Sequence, residues 1–502
     1  MAHQIDPDFT ALPLGAIADA ALEHAQRLGV EHADVRVERI RTADLALHDG
    51  RLETSHDNDE RGLAIRVVHD GTWGFAGGLV LDADASRTLV DRAVAVAKVS
   101  KPVTGERIEL AAEPGHGEQQ WVSSYEIDPF AVPVADRIAL LEDWSRRLLA
   151  HDSVHHTDAS VRLVRENKFY ADSNGTMSTQ QRVRLHCQLT AQWVDPQTGH
   201  FESMRTIAPP VGRGWEWLTG THHDWDAELA QLPELLAEKA AAPSVEAGSY
   251  DLVIDPSNLW LTIHESIGHA TELDRALGYE ANYAGTSFAT PDKLGTLAYG
   301  SPVMHVTGDR QAEHGLATVG WDDEGVAAQT WDLIRDGVLV GYQLDRRIAS
   351  ATGQDRSNGC AFADSALHAP IQRMANVSLQ PAAGGPSTEE LIAGVDDGIF
   401  IVGDKSWSID MQRYNFQFTG QRFYRIRGGR LAGMLRDVAY QATTTDFWGA
   451  MDAVGGPQTY VLGGAFNCGK GQPGQTAPVS HGCPSARFRG IRILNTVQEA
   501  GA

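Results

Sequence analysis

The sequence predicts an α+β protein, with an N-terminal domain of antiparallel sheets with packed helices and a C-terminal, mostly-β domain. Three observations support this class. In the first half, amphipathic helical segments alternate with period-two strands joined by Asp-Gly and Asn-Gly turns. A linker rich in alanine divides the chain near its middle. Beyond the linker the pattern is mostly β, apart from one helix that carries two histidines.

The N-terminal elements begin with a helix from Leu14 to Leu28, in which apolar residues recur at helical spacing until Gly29. Period-two strands then run into two turns, Asp49-Gly50 and Asp70-Gly71, which predict consecutive hairpins. A second helix is predicted over about Ser86 to Val99, with its leucine, valine and alanine residues on one face. These elements together indicate helices laid against an antiparallel sheet.

The next segment, Pro102 to Pro133, is rich in glycine, proline and glutamate and is interpreted as a long connection. A helix over about Ala135 to Ala150 follows. Two strands, Val161 to Phe169 and Val183 to Trp193, flank an Asn-Gly turn and indicate a second sheet. A helix over Asp226 to Ala241, with one internal proline, is predicted to pack over that sheet.

The linker Ala240 to Gly248 sets the predicted domain boundary. We therefore predict an N-terminal α+β domain at residues 1–242 and a C-terminal β-rich domain at residues 248–502. Tyr250 to Pro256 is typical of a strand, and Asn258 is placed to cap the histidine-bearing helix.

The remainder of the second domain is predicted mainly from its turns. Leu333 to Gly341 and Arg425 to Gly433 each resemble a hairpin with glycine at the turn. Glu389 to Val395 favours a short helix. Thr459 to Gly474 is rich in glycine around Cys468, and we expect a loop there.

Composition excludes several classes of function. The net charge of −24 makes partners with phosphate backbones or anionic lipid surfaces unfavourable, so we expect neither nucleic acid nor membrane partners. The four cysteines are too few for a disulfide framework. No signal peptide and no apolar run of about 18 residues is evident. We therefore predict a cytoplasmic protein with reduced cysteines.

The histidine-bearing helix contains His264-Glu265-Ser266-Ile267-Gly268-His269, in which two histidines flank a glutamate. This spacing is one residue longer than that of the common zinc-protease helix motif. On a regular helix, positions five residues apart point about 140° away from each other. Both imidazoles could still reach one metal ion if the helix widens locally into a π-type turn, and Gly268 would tolerate such a distortion.

A hydrolytic zinc site usually has three protein ligands and an open position for water. His264 and His269 supply two of these ligands, and the residue pattern alone does not identify the third ligand. The candidates by chemistry are a cysteine or one of the following: Glu272, Asp274, His305, His314 and His481. Among the cysteines, Cys468 has glycines nearby and is followed by Lys470, which could lower the pKa of its thiol. The alternative role of Cys468 is a small buried hydrophobe in a turn.

Glu265 adjoins the first histidine, which is where zinc peptidases place a general base. Such a carboxylate takes a proton from the metal-bound water and later passes it to the leaving amine. Its alternative role is a glutamate on the surface of a helix.

The motif, followed much later by Cys468-Gly469-Lys470-Gly471-Gln472, resembles the TldD/PmbA family of metalloproteases. Three further stretches, Arg66 to Ala76, Asp322 to Gly325 and Arg373 to Val377, also resemble that family, so the resemblance spans nearly the whole chain. It implies one zinc ion per subunit, held by His264, His269 and Cys468, with Glu265 as the catalytic base. The resemblance therefore implies that the second domain carries the metal-binding helix.

The resemblance also implies subunit type, partners and substrate. Family members occur as two kinds of subunit, and this chain has the motif and cysteine of the catalytic, TldD-like kind. We expect a heterodimer with a PmbA-like paralogue or a homodimer, acting on peptides or unfolded proteins.

The leading hypothesis is a zinc-dependent peptidase that cleaves peptides or extended, unfolded segments. In it, a zinc-bound water activated by Glu265 attacks the peptide carbonyl. The alternatives are a non-catalytic peptide-binding or regulatory subunit of a TldD/PmbA-type complex, and a zinc amidase acting on small substrates. The sequence leaves open the natural substrate, the biological pathway, the choice of partner, and whether His481 approaches the metal. Cys360 is interpreted as structural.

Overall fold

The computed structural model describes residues 4–471 and 474–499 and confirms the α+β class. The elements of the first half, in chain order, are α1 (Pro7–Thr10), α2 (Leu14–Arg27), β1 (His32–His48), β2 (Arg51–His69), β3 (Thr72–Gly78), α3 (Ala83–Ser100), β4 (Gly117–Val122), α4 (Val134–Leu149), β5 (His156–Asp172), β6 (Thr176–Val194), β7 (Phe201–Arg205), α5 (Glu216–Thr219) and α6 (Trp225–Ala241).

The strands of the first half form one sheet, in the order β3-β2-β1-β5-β6-β4, with β7 paired to β6. The predicted hairpins β1–β2, β2–β3 and β5–β6 are present. They belong to a single sheet, because β1 also pairs antiparallel with β5, from Asp34↔Asp172 to His48↔Asp158. The second predicted sheet is therefore a continuation of the first. Strand β4 lies within the segment interpreted as a connection, where its mostly polar sequence gives no period-two pattern, and it pairs parallel with β6 at the sheet edge.

The helices pack on this sheet in two groups. Helices α2 and α3 share a core with β1 and β2, centred on residues such as Ile17, Val35 and Val90. Helices α4 and α6 share a second core with β5 and β6, where Trp144 and Trp225 stack at 4.9 Å between ring centroids. The predicted packing of the last helix over the sheet is thus confirmed, and that helix continues through its internal proline, Pro233.

The elements of the second half are β8 (Gly248–Ile254), α7 (Pro256–Ile263), α8 (Leu273–Ala276), β9 (Val306–Asp309), β10 (Thr330–Arg335), β11 (Val338–Leu339), α9 (Arg346–Ala351), β12 (Ala361–Phe362), β13 (Ile371–Gln372), β14 (Asn376–Leu379), α10 (Thr388–Ala393), β15 (Asp397–Ile409), β16 (Asn415–Arg427), β17 (Arg430–Leu435), β18 (Val438–Thr443), α11 (Thr444–Gly449), β19 (Met451–Val454), β20 (Val461–Lys470), β21 (Gln475–Cys483), β22 (Ala486–Asn495) and α12 (Thr496–Glu499). The two predicted hairpins correspond to β10–β11 and β16–β17.

A closed ring of five strands organises this half. Pairings β15–β8, β8–β22, β22–β18, β18–β16 and β16–β15 form a small barrel, in which only β8 and β15 are parallel. Helix α7 shares a core with the barrel, where Leu259 and Ile263 belong to the same apolar cluster as Phe416 and Phe488. The barrel therefore provides a rigid support for the histidine-bearing segment.

The N-cap of α7 is Asp255, whose side chain accepts a hydrogen bond from the Ser257 backbone N–H. The prediction that Asn258 caps this helix is wrong. The Asn258 amide is buried and instead donates to the carbonyls of Gly403 and Thr419, so it fastens the helix to the barrel. Asp255 and Asn258 are both suitable cap residues, and tertiary contacts decide between them.

The glycine-rich stretch around Cys468 is a strand, β20, and not the predicted loop. It forms a hairpin with β21, and its glycines permit close packing. A Cβ atom at Gly463 would lie 2.6 Å from Cγ of Trp260, and one at Gly464 would lie 2.3 Å from the Val479 carbonyl oxygen. Glycine is needed here because side chains would separate β20 from α7 and β21.

Two buried ion pairs help to connect the first sheet to the second half of the chain. Arg66 contacts Glu324 at 2.8 Å, and Lys168 contacts Asp323 at 2.7 Å, with all four side chains buried. The predicted domain boundary between α6 and β8 stays a prediction. None of the helices in the described ranges is long and apolar enough to cross a membrane.

Candidate metal centre

The helix that carries the two histidines widens as predicted. Helix α7 ends at Ile263, and His264–Gly268 continue it as a π-helical turn, closed by a hydrogen bond from the His269 N–H to the His264 carbonyl. This bond spans five residues instead of four, so each residue advances less around the axis. The two imidazoles consequently lie on the same side of the helix in an edge-to-face arrangement, with ring centroids 4.7 Å apart and planes inclined by 76°.

Gly268 fits in this turn because it has no side chain to collide with its neighbours. Its φ of −53° is an ordinary helical value, so the expected need for conformational freedom is not the reason for glycine here. A Cβ atom would lie 2.5 Å from Sδ of Met374, a residue that is itself buried. Met374 therefore fills the space beside the turn that a larger residue would occupy.

A chain of hydrogen bonds fixes the tautomer of His264. The Nδ1–H of His481 donates to the Val377 carbonyl at 2.8 Å, because a carbonyl can only accept. Burial holds the pKa of His481 well below its usual range, so the ring is neutral and its Nε2 accepts. The Nδ1–H of His264 then donates to that Nε2 at 2.7 Å, which leaves the Nε2 lone pair of His264 available as a ligand.

A carboxylate fixes the second imidazole in the same way. The Nδ1–H of His269 donates to Oε2 of Glu272 at 2.8 Å. The other oxygen of Glu272 accepts from Nζ of Lys470 at 3.0 Å, and Lys470 also reaches Asp274 at 2.8 Å. Burial acts to raise the pKa of Glu272, but Lys470 and His269 outweigh it and hold that pKa well below its usual range. The carboxylate is therefore ionised, and Nε2 of His269 carries a free lone pair.

The Cys468 thiol completes the group. Its Sγ lies 3.6 Å from Nε2 of His269, and His264, His269 and Cys468 each present a ligand atom within 4.8 Å of the others. Burial acts to raise the pKa of the thiol, but His269 and Arg373 outweigh it and lower that pKa. The prediction that Lys470 performs this role is wrong, because its ammonium group is bound by Glu272 and Asp274.

The donor set fits zinc. Burial lowers the pKa of both His264 and His269, which favours the neutral imidazoles that a metal requires. Imidazole nitrogen and thiolate sulfur are both zinc donors, and three protein ligands are the number that catalytic zinc sites use. All three side chains are buried, and all three line one cleft.

The other candidate ligands are occupied elsewhere. Both ring nitrogens of His481 are hydrogen-bonded, so it orients His264 and does not face the group. His305 pairs with Asp332 at 3.1 Å, and the ring of His314 lies 3.3 Å from the Gly212 carbonyl. Cys187, Cys360 and Cys483 are buried thiols whose pKa values are raised by burial.

Glu265 lies beside the histidines and is held by a residue that the sequence analysis missed. Nη1 of Arg413 donates to Oε2 of Glu265 at 2.8 Å. Arg413 adopts a φ of +63°, a conformation supported by Asp410, whose side chain accepts from the backbone N–H groups of Gln412 and Tyr414. No motif spacing links Arg413 to Glu265, because the two meet only through the barrel fold.

The group opens onto a cleft of about 900 Å³, which both halves of the chain line. The first sheet contributes polar side chains such as Arg162 and His186, and the second half contributes aromatic residues such as Trp260, Trp407 and Phe466. His186 and Phe466 stack across the two halves with ring centroids 6.4 Å apart. The cleft is large enough for several residues of a peptide.

A buried His-His-Cys group beside a glutamate, opening onto a long cleft, is an arrangement typical of metal-dependent hydrolases. Comparison with known proteins agrees. Residues 247–495 match the model of the PmbA/TldA metallopeptidase C-terminal domain, and residues 33–97 match that of PmbA/TldA metallopeptidase domain 1. The chain belongs to the PmbA/TldD family, as its sequence resemblance predicts.

Individual relatives cover the chain almost completely. A protein named metalloprotease from Methanothermobacter thermautotrophicus is 28% identical, over 98% of this chain and 100% of its own length. A zinc metalloprotease TldD homolog from Saccharolobus solfataricus is 22% identical, over 94% and 98%. A crystallised Thermotoga maritima protein, named as a candidate modulator of a DNA gyrase, superposes with a TM-score of 0.76 at 16% identity, over 96% and 100%. This last likeness shows a shared fold.

The packing at Gly268 can be tested by a double-mutant cycle. We expect Gly268→Ala to lower the free energy of unfolding by about 1–2 kcal/mol, because the new methyl group displaces Met374 within a buried site. In Gly268→Ala/Met374→Ala the methyl group has room, so the loss should be smaller than the sum of the single losses. Thermal or urea unfolding of the four proteins measures this. Strictly additive losses would show that the two residues do not compete for space.

The role of His481 can be tested through metal affinity. His481→Phe keeps an aromatic ring beside Trp260 but removes the acceptor for His264, so zinc affinity should fall about ten- to a hundredfold. Competition with a chelating dye measures this affinity. His305→Phe, at a histidine paired with Asp332 away from the cleft, is the matched control. Equal affinity in both variants would contradict the assignment.

Proposed function

We propose that the protein is a zinc-dependent peptidase that cleaves peptides or extended, unfolded polypeptide segments. The observation that carries this proposal is the convergence of three buried ligand atoms, from His264, His269 and Cys468, beside Glu265 in one cleft. Membership of a metallopeptidase family and the zinc metalloprotease name of one relative support it.

The three side chains would hold one zinc ion per subunit. Two neutral imidazoles and one thiolate leave a site with a net charge of about +1, which favours activation of water. When bound, zinc supplies Lewis acidity that makes water more acidic and the substrate carbonyl more electrophilic. The hydrogen bonds from His264 to His481 and from His269 to Glu272 would keep both rings oriented.

Glu265 would act as the proton carrier. Its Oε2 is bound by Arg413, whereas Oε1 accepts no hydrogen bond from any residue that the structure describes. Oε1 is thus the atom that would take a proton from the attacking water and return it to the leaving amine. Arg413 would keep the carboxylate in one orientation throughout both transfers, and it lines the cleft beside the base.

The cleft suits an extended substrate. Across the described ranges, β20 pairs only with β21, and its Cys468 carbonyl accepts a hydrogen bond from the Arg373 side chain. The other main-chain groups on its second edge make no hydrogen bond to another strand within these ranges. Residues Gly463–Gly469 of β20 line the cleft next to the ligand group. An extended peptide can bind such an edge through its own backbone, which requires little sequence specificity. We further propose a cytoplasmic enzyme that works as a dimer, with a PmbA-like paralogue or a second copy.

Metal binding and proton transfer can be separated by two substitutions. Cys468→Ala should lose zinc and peptidase activity together, because it removes a ligand. Glu265→Gln should retain zinc and the fold but lose about 10²- to 10⁴-fold in kcat, because an amide cannot accept the proton. Zinc content by atomic spectroscopy and cleavage of an unfolded protein such as casein provide the measurements. Full activity of zinc-loaded Glu265→Gln would refute the mechanism.

The orienting role of Arg413 predicts a milder effect. We expect Arg413→Met to retain zinc but to lower kcat about ten- to a hundredfold, since Glu265 loses its only charged partner among the described residues. Arg413→Lys should recover part of the loss. Lys405→Met, which removes another cation from the lining of the same cleft, is the control and should stay near wild-type kcat. If Lys405→Met were equally slow, the effect would come from the charge of the cleft.

A further inference from the structure

A second cluster of charged side chains lies away from the metal centre, where strands β5 and β6 of the first sheet meet the segment that follows β9. It surrounds an internal cavity of about 10 Å³. Space of this size, open to the centre of a water molecule, admits one water-sized guest. The polar side chains that matter here are Glu166, Lys168, Arg182, Arg310, Trp321 and Asp323.

Arg310 is the unusual member of this charge cluster. Its exposed fraction is 2%, and its guanidinium group makes no hydrogen bond or ion pair with any residue in the described ranges. Its Nε is completely buried and unpartnered. A guanidinium group stays charged, so an acceptor or a counter-charge is required in this environment.

The indole of Trp321 adds a second donor without a partner. Its Nε1–H is buried and has no acceptor among the described residues, and its ring lines the same cavity. Gln180, which also lines the cavity, cannot be that acceptor. Its carbonyl oxygen accepts from the backbone N–H groups of Gly320 and Trp321, and its amide donates to the Trp321 carbonyl. Two residues that line the same cavity therefore each have an N–H donor without an acceptor.

The other charges in the cluster are already paired. Lys168 contacts Asp323 and the Ala363 carbonyl, and Arg182 contacts Glu166. Burial acts to raise the pKa of Glu166, but Arg182 and Lys168 outweigh it and keep the carboxylate ionised. Three cations, Lys168, Arg182 and Arg310, thus line the cavity together with two carboxylates. Just outside the lining, Glu38 is shared by Lys168 and Arg36, and Glu166 is also paired with Arg184, so these further pairs do not remove the excess of positive charge. Asp322 also acts on Arg310 without forming an ion pair, and burial raises the pKa of Asp322 to about 7, so its negative charge offsets that of Arg310 only in part.

From these observations we propose that the charge cluster is a binding site for one small monovalent anion, of the halide class, held by Arg310 and Trp321. Space for about one water-sized guest favours a monatomic anion over the larger sulfate, phosphate and carboxylate groups. A water molecule would accept the two N–H groups but would leave the positive charge uncompensated, and a buried charge without a partner is strongly unfavourable. Chloride satisfies both requirements.

The position of the charge cluster indicates how the anion would enter and how its binding would change stability. A neighbouring cavity of about 500 Å³ shares Arg182, Val319 and Trp321 with it, and under this proposal the anion would enter from that side. The anion would lie between the first sheet and the second half of the chain, where Lys168 already pairs with Asp323. Its binding should therefore stabilise the contact between the two halves.

The proposal predicts a specific halide dependence of stability. At constant ionic strength, replacing gluconate by chloride should raise the thermal midpoint of the wild-type protein by about 1–3 °C, and the rise should saturate. Gluconate is too large for the cavity. Arg310→Gln should lose this response, whereas Arg137→Gln, which alters another buried arginine far along the chain, should retain it. An equal response in Arg310→Gln, or no response in the wild type, would overturn the proposal.

Crystals of the wild-type protein provide an independent test that needs no variant. After growth or soaking in sodium bromide, anomalous scattering should show a bromide peak beside the Arg310 guanidinium and the Trp321 indole. A cavity occupied by water, with no anomalous signal at bromide concentrations that saturate the stability response, would contradict anion binding.

Discussion

The hydrogen bond from the His269 N–H to the His264 carbonyl determines most of what surrounds it. A regular helix would close each turn with a four-residue bond and would point the two imidazoles apart. The five-residue bond turns them toward one point, and the neighbouring residues then have to accommodate a wider helix. Gly268 leaves room for Met374, and the 3₁₀ turn that follows returns the chain toward α8.

The ligand group depends on residues that are distant in sequence. His264 relies on His481 in β21 and, through it, on the Val377 carbonyl in β14. His269 relies on Glu272, which in turn is held by Lys470 at the end of β20. The same hairpin that supplies Cys468 therefore also supplies His481, which orients His264, and Lys470, which holds the carboxylate that orients His269. A metal bound there would link α7 to this hairpin, so metal binding and folding of the hairpin would be coupled.

Local patterns in the sequence predict much of the fold, because helical spacing and Asp-Gly turns depend on neighbouring residues. They predict the amphipathic helices, the hairpins and the widened turn at His264–Gly268. They miss β4, a mostly polar strand at a sheet edge, and they treat β20 as a loop because its glycines conceal a strand. The cap of α7 is misassigned to Asn258 because Asp and Asn are equally favourable N-cap residues, and the neighbouring sequence does not distinguish Asp255 from Asn258. The pairing of Arg413 with Glu265 and the ion pairs of Lys470 arise only in three dimensions. Only the family resemblance points to Cys468 as the third ligand, since the spacing of the residues does not identify it.

The placement of Cys468 on β20, long after the histidines in the chain, has a consequence for biosynthesis. As the nascent polypeptide leaves the ribosome, α7 and its two histidines emerge well before the hairpin that carries the thiol, Lys470 and His481. The cleft also needs Phe466 from that hairpin on its wall. A partly translated chain therefore lacks both the complete ligand group and the finished cleft. The proposed metal centre can therefore form only after both strands of this hairpin have been synthesised.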